Sequence, residues 1–288
     1  MAAKLQTVSE ISRQISGMLK EAWPVEEAGA LAAAIILEYT GMGRAAQLAF
    51  GERVPEAAAA ERILEAATRA VAGEPLQYIF GYTEFCGHRL EVGPGVLIPR
   101  PETEEMTLMI IRENSGFKGS LTDLCTGSGC IAIALSLALP GAKVTATDLS
   151  AAAMTIAQRN IKRTGARVTL LESDLLSSGN DAIPDSNIIL SNPPYVTMRE
   201  KEAMQRNVLD HEPHDALFVP DDDPLIFYRA IAGVAEKRLL PGGVLWLEVN
   251  ENLAGETAAL FPAKLYRQVW IINDIRGKER FIKAERNG

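Results

Sequence analysis

The chain has 288 residues, 47% of them hydrophobic, which is enough for one large core and a second, smaller domain. No apolar run reaches the roughly 18 residues that a membrane span needs. With 29 Lys and Arg against 37 Asp and Glu, the net charge of -8 argues against a broad nucleic-acid-binding face, without excluding a local basic patch.

The first part of the chain, residues 1–73, predicts a small helical bundle. Apolar residues recur at helical spacing over residues 8–18, and residues 26–39 are rich in Ala, Leu, Ile and Glu. Residues 55–71 begin with Pro at a first helical turn, continue with strong helix formers and stop at a glycine. Glycine-containing turns separate these three helices.

The remainder of the chain predicts an α/β fold. Aromatic residues, β-branched residues and glycines over residues 74–100 predict a connecting β-hairpin or connecting strands, and a helix-like stretch, 102–112, follows. Strand and helix patterns then alternate, which indicates a mostly parallel sheet with helices on both faces. The predicted strands are 121–125, 143–147, 167–171, 187–191, 243–249, 267–273 and a short last one at 280–283, and the predicted helices are 129–139, 151–162, 224–239 and 251–261.

A glycine-containing loop, residues 125–129, follows the first of these strands and opens a helix. Gly127 and Gly129 permit a tight turn and a close approach of the backbone to a ligand. Asp148 ends the next strand about 20 residues later, where a carboxylate accepts hydrogen bonds from ribose hydroxyls, so the pair predicts a nucleoside-containing cofactor. Because Gly127, Gly129 and Ala132 also match the dinucleotide pattern, a nicotinamide-dependent oxidoreductase is an alternative, as is a plain strand-to-helix turn.

The tetrapeptide Asn192-Pro193-Pro194-Tyr195 follows the fourth strand, at the edge where such sheets bind ligands. The prolines fix φ and remove two N–H donors, which leaves the Asn192 side-chain oxygen and the Pro193 carbonyl as stiff acceptors. Two acceptors would orient a planar NH2 group and stabilise its positive charge during methylation, with Tyr195 against the flat target. A simple turn is the alternative. The position of the tetrapeptide after the glycine loop favours a catalytic role over a turn, a nicotinamide enzyme or a non-catalytic binding module.

With these motifs the chain resembles the peptide chain release factor glutamine methyltransferases, class I enzymes that methylate the glutamine of a Gly-Gly-Gln motif at N(5). The resemblance covers nearly the whole length and is most specific over residues 73–81 and 97–104, with further likeness at 212–218 and 274–281. It implies a seven-stranded Rossmann-like methyltransferase domain (101–288), a hairpin (74–100) and an N-terminal helical domain (1–73) that helps hold the release factor. It also implies S-adenosylmethionine as cofactor, S-adenosylhomocysteine as product and class I release factors as partners.

The resemblance also implies roles for individual residues. Two positions depart from the family's pattern and put cofactor affinity in doubt: Cys125 stands where glycine is usual, and Leu175 where an aromatic residue often follows the Asp. The tetrapeptide is shared with enzymes that methylate exocyclic amines of DNA or RNA bases, so base methylation is the alternative, which the acidic charge disfavours. The implied cofactor contacts are Cys125, Thr126, Gly127, Ser128, Gly129, Asp148, Leu175 and Asn192, and the implied glutamine contacts are Asn192, Pro193, Pro194 and Tyr195.

Three other charged residues are candidates. Asp174 follows the third strand, where a side chain reaches the adenine edge of a cofactor, although an Asp there is often a helix cap. Arg100 and Glu102 either form a structural ion pair or belong to the rim that binds the substrate.

Histidines and cysteines suggest no further chemistry. His211 and His214 lie in a proline-containing loop without a supporting ligand set, so we predict no metal site. Three cysteines and an N-terminus without signal-peptide order predict unpaired thiols and a cytoplasmic protein. We expect no membrane partner and no direct binding of nucleic acid.

Overall fold

The computed structural model describes residues 6–177 and 180–288. In chain order its helices are α1 (Val8–Leu19), α2 (Val25–Thr40), α3 (Arg44–Ala49), α4 (Ala57–Val71), α5 (Leu76–Phe80), α6 (Pro101–Glu113), α7 (Cys130–Ala138), α8 (Ala151–Thr164), α9 (Arg206–His211), α10 (Ile226–Arg238) and α11 (Ala254–Ala258). The strands are β1 (Tyr82–Phe85), β2 (His88–Glu91), β3 (Ser120–Leu124), β4 (Lys143–Asp148), β5 (Val168–Glu172), β6 (Ser186–Ser191), β7 (Val196–Thr197), β8 (Phe218–Val219), β9 (Leu239–Glu248), β10 (Tyr266–Asn273) and β11 (Glu279–Arg286).

One compact unit is helical and contains α1–α5 together with residues 205–211. Helix α1 begins at a capping box, in which Glu10 N–H donates to the Thr7 hydroxyl and Thr7 N–H donates to the Glu10 carboxylate. The buried side chains of α1 recur every three to four residues, so they form one apolar face that packs against α2 and α4. Helix α3 was not predicted, because its six residues lie in a segment punctuated by glycines.

The second unit contains residues 82–204 and 212–288. It begins with the predicted hairpin, which the structure confines to residues 82–91, whereas Leu76–Phe80, expected among connecting strands, is helical. Cys86 and Gly87, between β1 and β2, both have positive φ (49° and 75°). That combination is the signature of a two-residue type I′ turn, whose twist matches that of the paired strands.

The main sheet has seven strands in the order β10-β11-β9-β6-β3-β4-β5, which confirms the predicted fold class. Strands β5, β4, β3, β6 and β9 are parallel, and β11 is antiparallel to both of its neighbours. The last strand was expected to be short, but β11 has eight residues. The prediction was too short because charged side chains at the ends of β11 hide the strand pattern in the sequence. Helix α11, expected over 251–261, is limited to Ala254–Ala258.

Buried apolar side chains cover both faces of this sheet. One face packs around Phe85, Met106 and Trp246, and the other around Tyr228 and Leu245. Because the parallel strands share one direction, the ends of β3, β4, β5 and β6 meet along one edge. Within the described part of the chain, no helix combines the length and the apolar character that crossing a bilayer requires.

Candidate functional site

A cavity of about 380 Å³ lies at this carboxyl edge, within the size range of small-molecule sites. Each of four neighbouring parallel strands contributes the residues that follow it to the cavity wall. Those residues are Cys125–Ser128 after β3, Leu149 and Ser150 after β4 together with its last residue, Asp148, Ser173–Leu176 after β5, and Asn192 and Pro194 after β6. Other parts of the wall come from residues 95–97, Pro99, Thr103, Pro213, Asp215, Ala216 and Phe227.

Asp148 ties the glycine loop to the end of β4. Its Oδ2 accepts the N–H of Gly127 at 2.8 Å, and its Oδ1 accepts the N–H of Ser150 at 2.9 Å. Burial raises the pKa of Asp148, and these backbone hydrogen bonds oppose the shift. A carboxylate has about four lone-pair sites, so both oxygens keep acceptor capacity for ribose hydroxyls. The carboxylate therefore fits the nucleoside end of S-adenosylmethionine.

The two glycines of the loop do different things. Gly127 lies on the cavity wall with φ +56°, and a Cβ there would meet no heavy atom within 4 Å. Gly129 caps α7 with φ +82°, and a Cβ there would lie 3.2 Å from Ile133 Cδ1 and 3.3 Å from Ala157 Cβ. Gly129, predicted as a cofactor contact, does not line the cavity, because it is packed between helices α7 and α8 instead.

Cys125 adopts φ +59°, in the left-handed region that favours glycine. This backbone conformation suits the glycine that the resemblance led us to expect at this position. Its side chain lies on the cavity wall and packs against the apolar core. Burial raises the pKa of the Cys125 thiol far above its usual value, so the thiol stays protonated.

Asp123 braces the loop from inside β3, a role that the sequence analysis missed. Its Oδ2 accepts a hydrogen bond of 2.6 Å from the Thr126 hydroxyl, and Thr126 N–H donates to the Thr147 carbonyl at 2.9 Å. Asp123 is fully buried, and this burial raises its pKa to about 7 although its hydrogen bonds lower it. The sequence feature that could have revealed this role is a carboxylate within an apolar strand.

Asp174 and Leu175 follow β5 and were both predicted to contact the cofactor. Both line the cavity. Asp174 Oδ1 also accepts the N–H of Leu176 at 2.9 Å, so the residue shapes its own turn while facing the cavity. Leu175 is buried and packs with the apolar cluster around Tyr228. Of the two alternatives weighed for Asp174, the structure places the residue on the cavity wall, and among the described residues no helix begins directly after it that it could cap.

Asn192 is held by a chain of buried side chains. Its Nδ2 donates to Thr103 Oγ1 at 3.0 Å, and the Thr103 hydroxyl donates to Glu248 Oε2 at 2.7 Å. Thr103 is 2% exposed and Glu248 1% exposed. Burial raises the pKa of Glu248, while the hydrogen bonds from Thr103 and Tyr195 lower it. The sequence analysis assigned no role to Thr103 or Glu248, which lie 89 positions before Asn192 and at the end of β9, respectively.

The other tetrapeptide residues differ in whether they line the cavity. Pro194 lines the cavity, whereas Pro193 and Tyr195 are not on its wall. The Tyr195 hydroxyl donates to Glu248 Oε1 at 3.0 Å, and burial holds the pKa of this phenol well above its usual value. Tyr195 was expected to lie against the flat target, but in this structure its hydroxyl supports Glu248.

Arg100 and Glu102 do not form an ion pair with each other. Arg100 pairs with Glu212 at 2.7 Å, and Glu212 Oε2 also accepts the N–H of Ile98 at 3.0 Å, beside the residues that line the cavity. Glu102 lies 3.7 Å from Arg276. Neither Arg100 nor Glu102 is on the cavity wall, so both take part in ion pairs outside it. Across residues 6–177 and 180–288, no group of three or more His, Cys, Asp or Glu side chains is arranged to hold a metal ion.

Two family models match this chain. The model "Methyltransferase small domain" matches residues 85–214, and the model "PrmC N-terminal domain" matches residues 10–81. Together these matches include most of the helical unit, most of the hairpin, and the cavity wall as far as Pro213.

Curated relatives match over most of the chain. The release factor glutamine methyltransferase of Bacteroides thetaiotaomicron is 43% identical over 280 residues, which cover 97% of this chain and all of that protein. The enzyme of the same description from Flavobacterium psychrophilum is 43% identical over 215 residues, or 73% of this chain and 75% of that one.

Solved structures share the fold at low sequence identity. A methyltransferase from Pyrococcus furiosus has a TM-score of 0.52 at 20% identity, covering 79% of this chain and 98% of its own. The 16S rRNA N2 G1207 methyltransferase of Thermus thermophilus, solved with AdoMet and guanosine, also has a TM-score of 0.52 at 20% identity, covering 72% of this chain and 50% of its own. These two likenesses support the Rossmann-like methyltransferase fold.

Proposed function

The chain belongs to the family of release factor glutamine methyltransferases, and from this premise we propose how its site works. The enzyme transfers a methyl group from S-adenosylmethionine to the side-chain amide nitrogen of a glutamine in a release factor. The structural observation that carries the proposal is the Asn192 carboxamide, whose NH2 is bound to Thr103 while the residue lines the cavity. The alternatives, base methylation and hydride transfer with a nicotinamide, are not favoured.

The loops after β3, β4 and β5 form the proposed cofactor seat. S-adenosylmethionine supplies an activated methyl group on a positively charged sulfur when it is bound. The remaining lone pairs of Asp148 accept the ribose hydroxyls, and Gly127 lets the backbone approach the ligand closely. Asp174 and Leu175 lie on the wall where the base would rest. Thr126 and Ser128 complete the loop on the same wall.

Asn192 is the proposed acceptor for the target amide. An amide nitrogen is a poor nucleophile, because its lone pair is delocalised into the carbonyl. A hydrogen bond from one of its N–H groups to Asn192 Oδ1 would orient it and stabilise its growing positive charge. The Pro193 carbonyl is the second acceptor of the proposal, although Pro193 does not line the cavity in this structure. The surplus proton becomes acidic as the N–C bond forms and leaves to solvent, so neither acceptor acts as a strong base. The products are a methylated glutamine, S-adenosylhomocysteine and a proton.

The release factor is also the proposed protein partner. We assign the N-terminal helical domain, residues 1–73, to holding a class I release factor, and the glutamine of its Gly-Gly-Gln motif to the cavity. A substrate that acts in translation termination places the reaction in the cytoplasm. Direct binding of nucleic acid is not part of the proposal, in keeping with the net charge of -8.

The proposal is tested by locating the transferred methyl group. The enzyme is incubated with methyl-labelled S-adenosylmethionine and either a class I release factor or nucleic acid, and the products are mapped by mass spectrometry. Label on the side chain of the motif glutamine is expected, and a release factor with alanine at that position should stay unlabelled. Label in nucleic acid and none on glutamine would overturn the assignment.

A further inference from the structure

The carboxamide of Asn192 has two orientations with nearly the same shape and opposite chemistry. With its oxygen toward the cavity it accepts hydrogen bonds and suits an NH2 group. With its nitrogen toward the cavity it donates and suits a carbonyl or carboxylate oxygen. A mechanism that methylates an amide nitrogen therefore depends on which way this one group is turned.

The buried neighbours of Asn192 determine the orientation. The Thr103 hydroxyl carries a single proton, which it donates to Glu248 Oε2 at 2.7 Å. Thr103 therefore offers only lone pairs to Asn192, and the carboxamide must present Nδ2, as the 3.0 Å hydrogen bond shows. The Tyr195 hydroxyl donates to Glu248 Oε1 at 3.0 Å, so both oxygens of the Glu248 carboxylate act as acceptors.

Burial makes this order of donors and acceptors costly to reverse. Thr103 is 2% exposed and Glu248 1% exposed, so a donor or acceptor that lost its partner there would have little access to water. Flipping the carboxamide would place Asn192 Oδ1 against the Thr103 oxygen, whose proton is already donated elsewhere. In the described part of the chain, no other hydrogen bond to the Asn192 side chain opposes this polarity.

We propose that Thr103, held by Glu248, is a positioning residue that turns the oxygen of Asn192 toward the cavity and so selects an acceptor bearing NH2 over one bearing a carboxylate. This inference rests on the proposed function. A site built to accept hydrogen bonds from NH2 leaves its own oxygens unpaired against a carboxylate, and it rejects such a group strongly. Discrimination between glutamine and glutamate therefore begins at Thr103, outside the tetrapeptide.

The test compares Thr103→Val with a matched control in the same helix. Valine keeps the shape of threonine and removes the hydroxyl. The control, Thr107→Val, removes another fully buried hydroxyl, which bonds back to the Thr103 carbonyl at 2.8 Å and does not touch Asn192. A third variant, Thr103→Ser, keeps the hydroxyl and should restore most of what valine loses. The thermal midpoint of each variant records any general loss of stability.

Three measurements are made on the full-length enzyme. For Thr103→Val, kcat with the release factor should fall at least about tenfold, while the Kd for S-adenosylmethionine by calorimetry stays within about threefold. A release factor with glutamate in place of the motif glutamine should inhibit Thr103→Val more strongly than it inhibits wild type. Thr107→Val should show neither change. Equal kcat and equal inhibition in the two valine variants would overturn the inference.

A measurement on the wild-type protein does not depend on any variant folding. In ¹⁵N spectra, the Asn192 side-chain NH2 is assigned by its loss in Asn192→Ala, and its hydrogen exchange is followed. One of its two protons should exchange slowly, because it is bonded to buried Thr103. Fast exchange of both protons would overturn the inference. Methylation of glutamine by wild type tests the proposed function alone, so the failure of either one is recognised separately.

Discussion

The two sides of the cavity are held in place by different kinds of contact. On the β3–β4 side, the glycine loop is fixed through its backbone N–H groups. The Asp148 carboxylate accepts the N–H groups of Gly127 and Ser150, and Thr126 N–H donates to the Thr147 carbonyl of a neighbouring strand. On the β6 side, Asn192 is fixed by side chains alone, through Thr103 to Glu248. The first side is local in sequence, and the second joins three distant segments.

This difference indicates that the β3–β4 side serves cofactor binding and the β6 side serves methyl transfer. A loop held through its backbone N–H groups depends on few side chains, chiefly Asp148, which suits a binding site for a cofactor of constant shape. A side-chain network fixes the direction of one hydrogen-bonding group, and a single substitution disturbs it. Substitutions on the β6 side should therefore lower kcat, and those on the β3–β4 side should weaken cofactor binding.

The largest effect is expected on the β6 side, from Asn192→Ala. Removing the carboxamide takes away one acceptor for the target NH2, so the rate of methyl transfer should fall by about 10² or more, as measured in single-turnover assays. Asn187→Ala is the matched control, because Asn187 is the second residue of the same strand and its Oδ1 accepts the Ser120 N–H at the strand's far end. Undiminished turnover by Asn192→Ala would remove the basis of the proposed mechanism.

On the opposite side, Asp148→Ala should act on the cofactor. Losing the carboxylate frees the Gly127 loop and removes the acceptor for the ribose, so the Kd for S-adenosylmethionine should rise by roughly 10- to 100-fold. Glu172→Ala is the control, since Glu172 pairs with Asp148 in the register of β4 and β5 but is exposed and off the cavity wall. Similar Kd values for the two variants, measured by calorimetry, would contradict the assigned seat.

The brace beneath the loop predicts a dependence of stability on pH. Burial raises the pKa of Asp123 to about 7 from an ordinary 3.8. Between these values the folded protein holds a proton that the unfolded chain has lost, so this group's contribution to stability falls as pH rises through that window, by on the order of 1 kcal/mol per pH unit. Asp123→Asn should flatten this slope in urea unfolding series.

The control for this slope is Asp222→Asn, which changes an exposed aspartate. It should leave the pH dependence of unfolding as in wild type. If Asp123→Asn and wild type lose stability in parallel from pH 4 to pH 7, Asp123 does not titrate as its burial indicates.

The smallest effect should separate the two glycines of the loop. Gly129→Ala puts a Cβ at φ +82° and within 3.3 Å of two side-chain atoms, so it should lower the free energy of unfolding by about 2 kcal/mol or more. Gly127→Ala meets no protein atom within 4 Å and should cost only the backbone strain, about 1 kcal/mol. Equal losses in thermal unfolding would mean that the α7–α8 packing adapts to the extra methyl group.

The contrast between the two sides also explains what the sequence could predict. Asp148 was found because glycines and an acidic strand end at a characteristic spacing form a pattern within one β-α-β segment. Asn192 was predicted as a site residue because two prolines follow it directly in the sequence. Thr103 and Glu248 were missed because their meaning depends on α6 and the end of β9 coming together with β6, which periodicity does not show.

The fold was predicted best where the pattern was strongest. The parallel strands have apolar runs bounded by turns, so the predicted strands match them to within a few residues, apart from an earlier start for β9. Strand β11 was underestimated, since Lys283, Glu285 and Arg286 interrupt its apolar pattern. Helix α5 was missed because four of its five residues are aromatic or aliphatic, and so short an apolar run fits a strand and a helix equally well.

The order β10-β11-β9 has a consequence for biosynthesis. Strand β10 leaves the ribosome before β11, yet in the finished sheet β11 lies between β10 and β9. Until β11 is made, β9 therefore exposes an unpaired edge, and β10 is a nearby competitor for it. A nascent chain that paired β9 with β10 directly would have to separate them again, so the last step of folding waits for the strand that divides them.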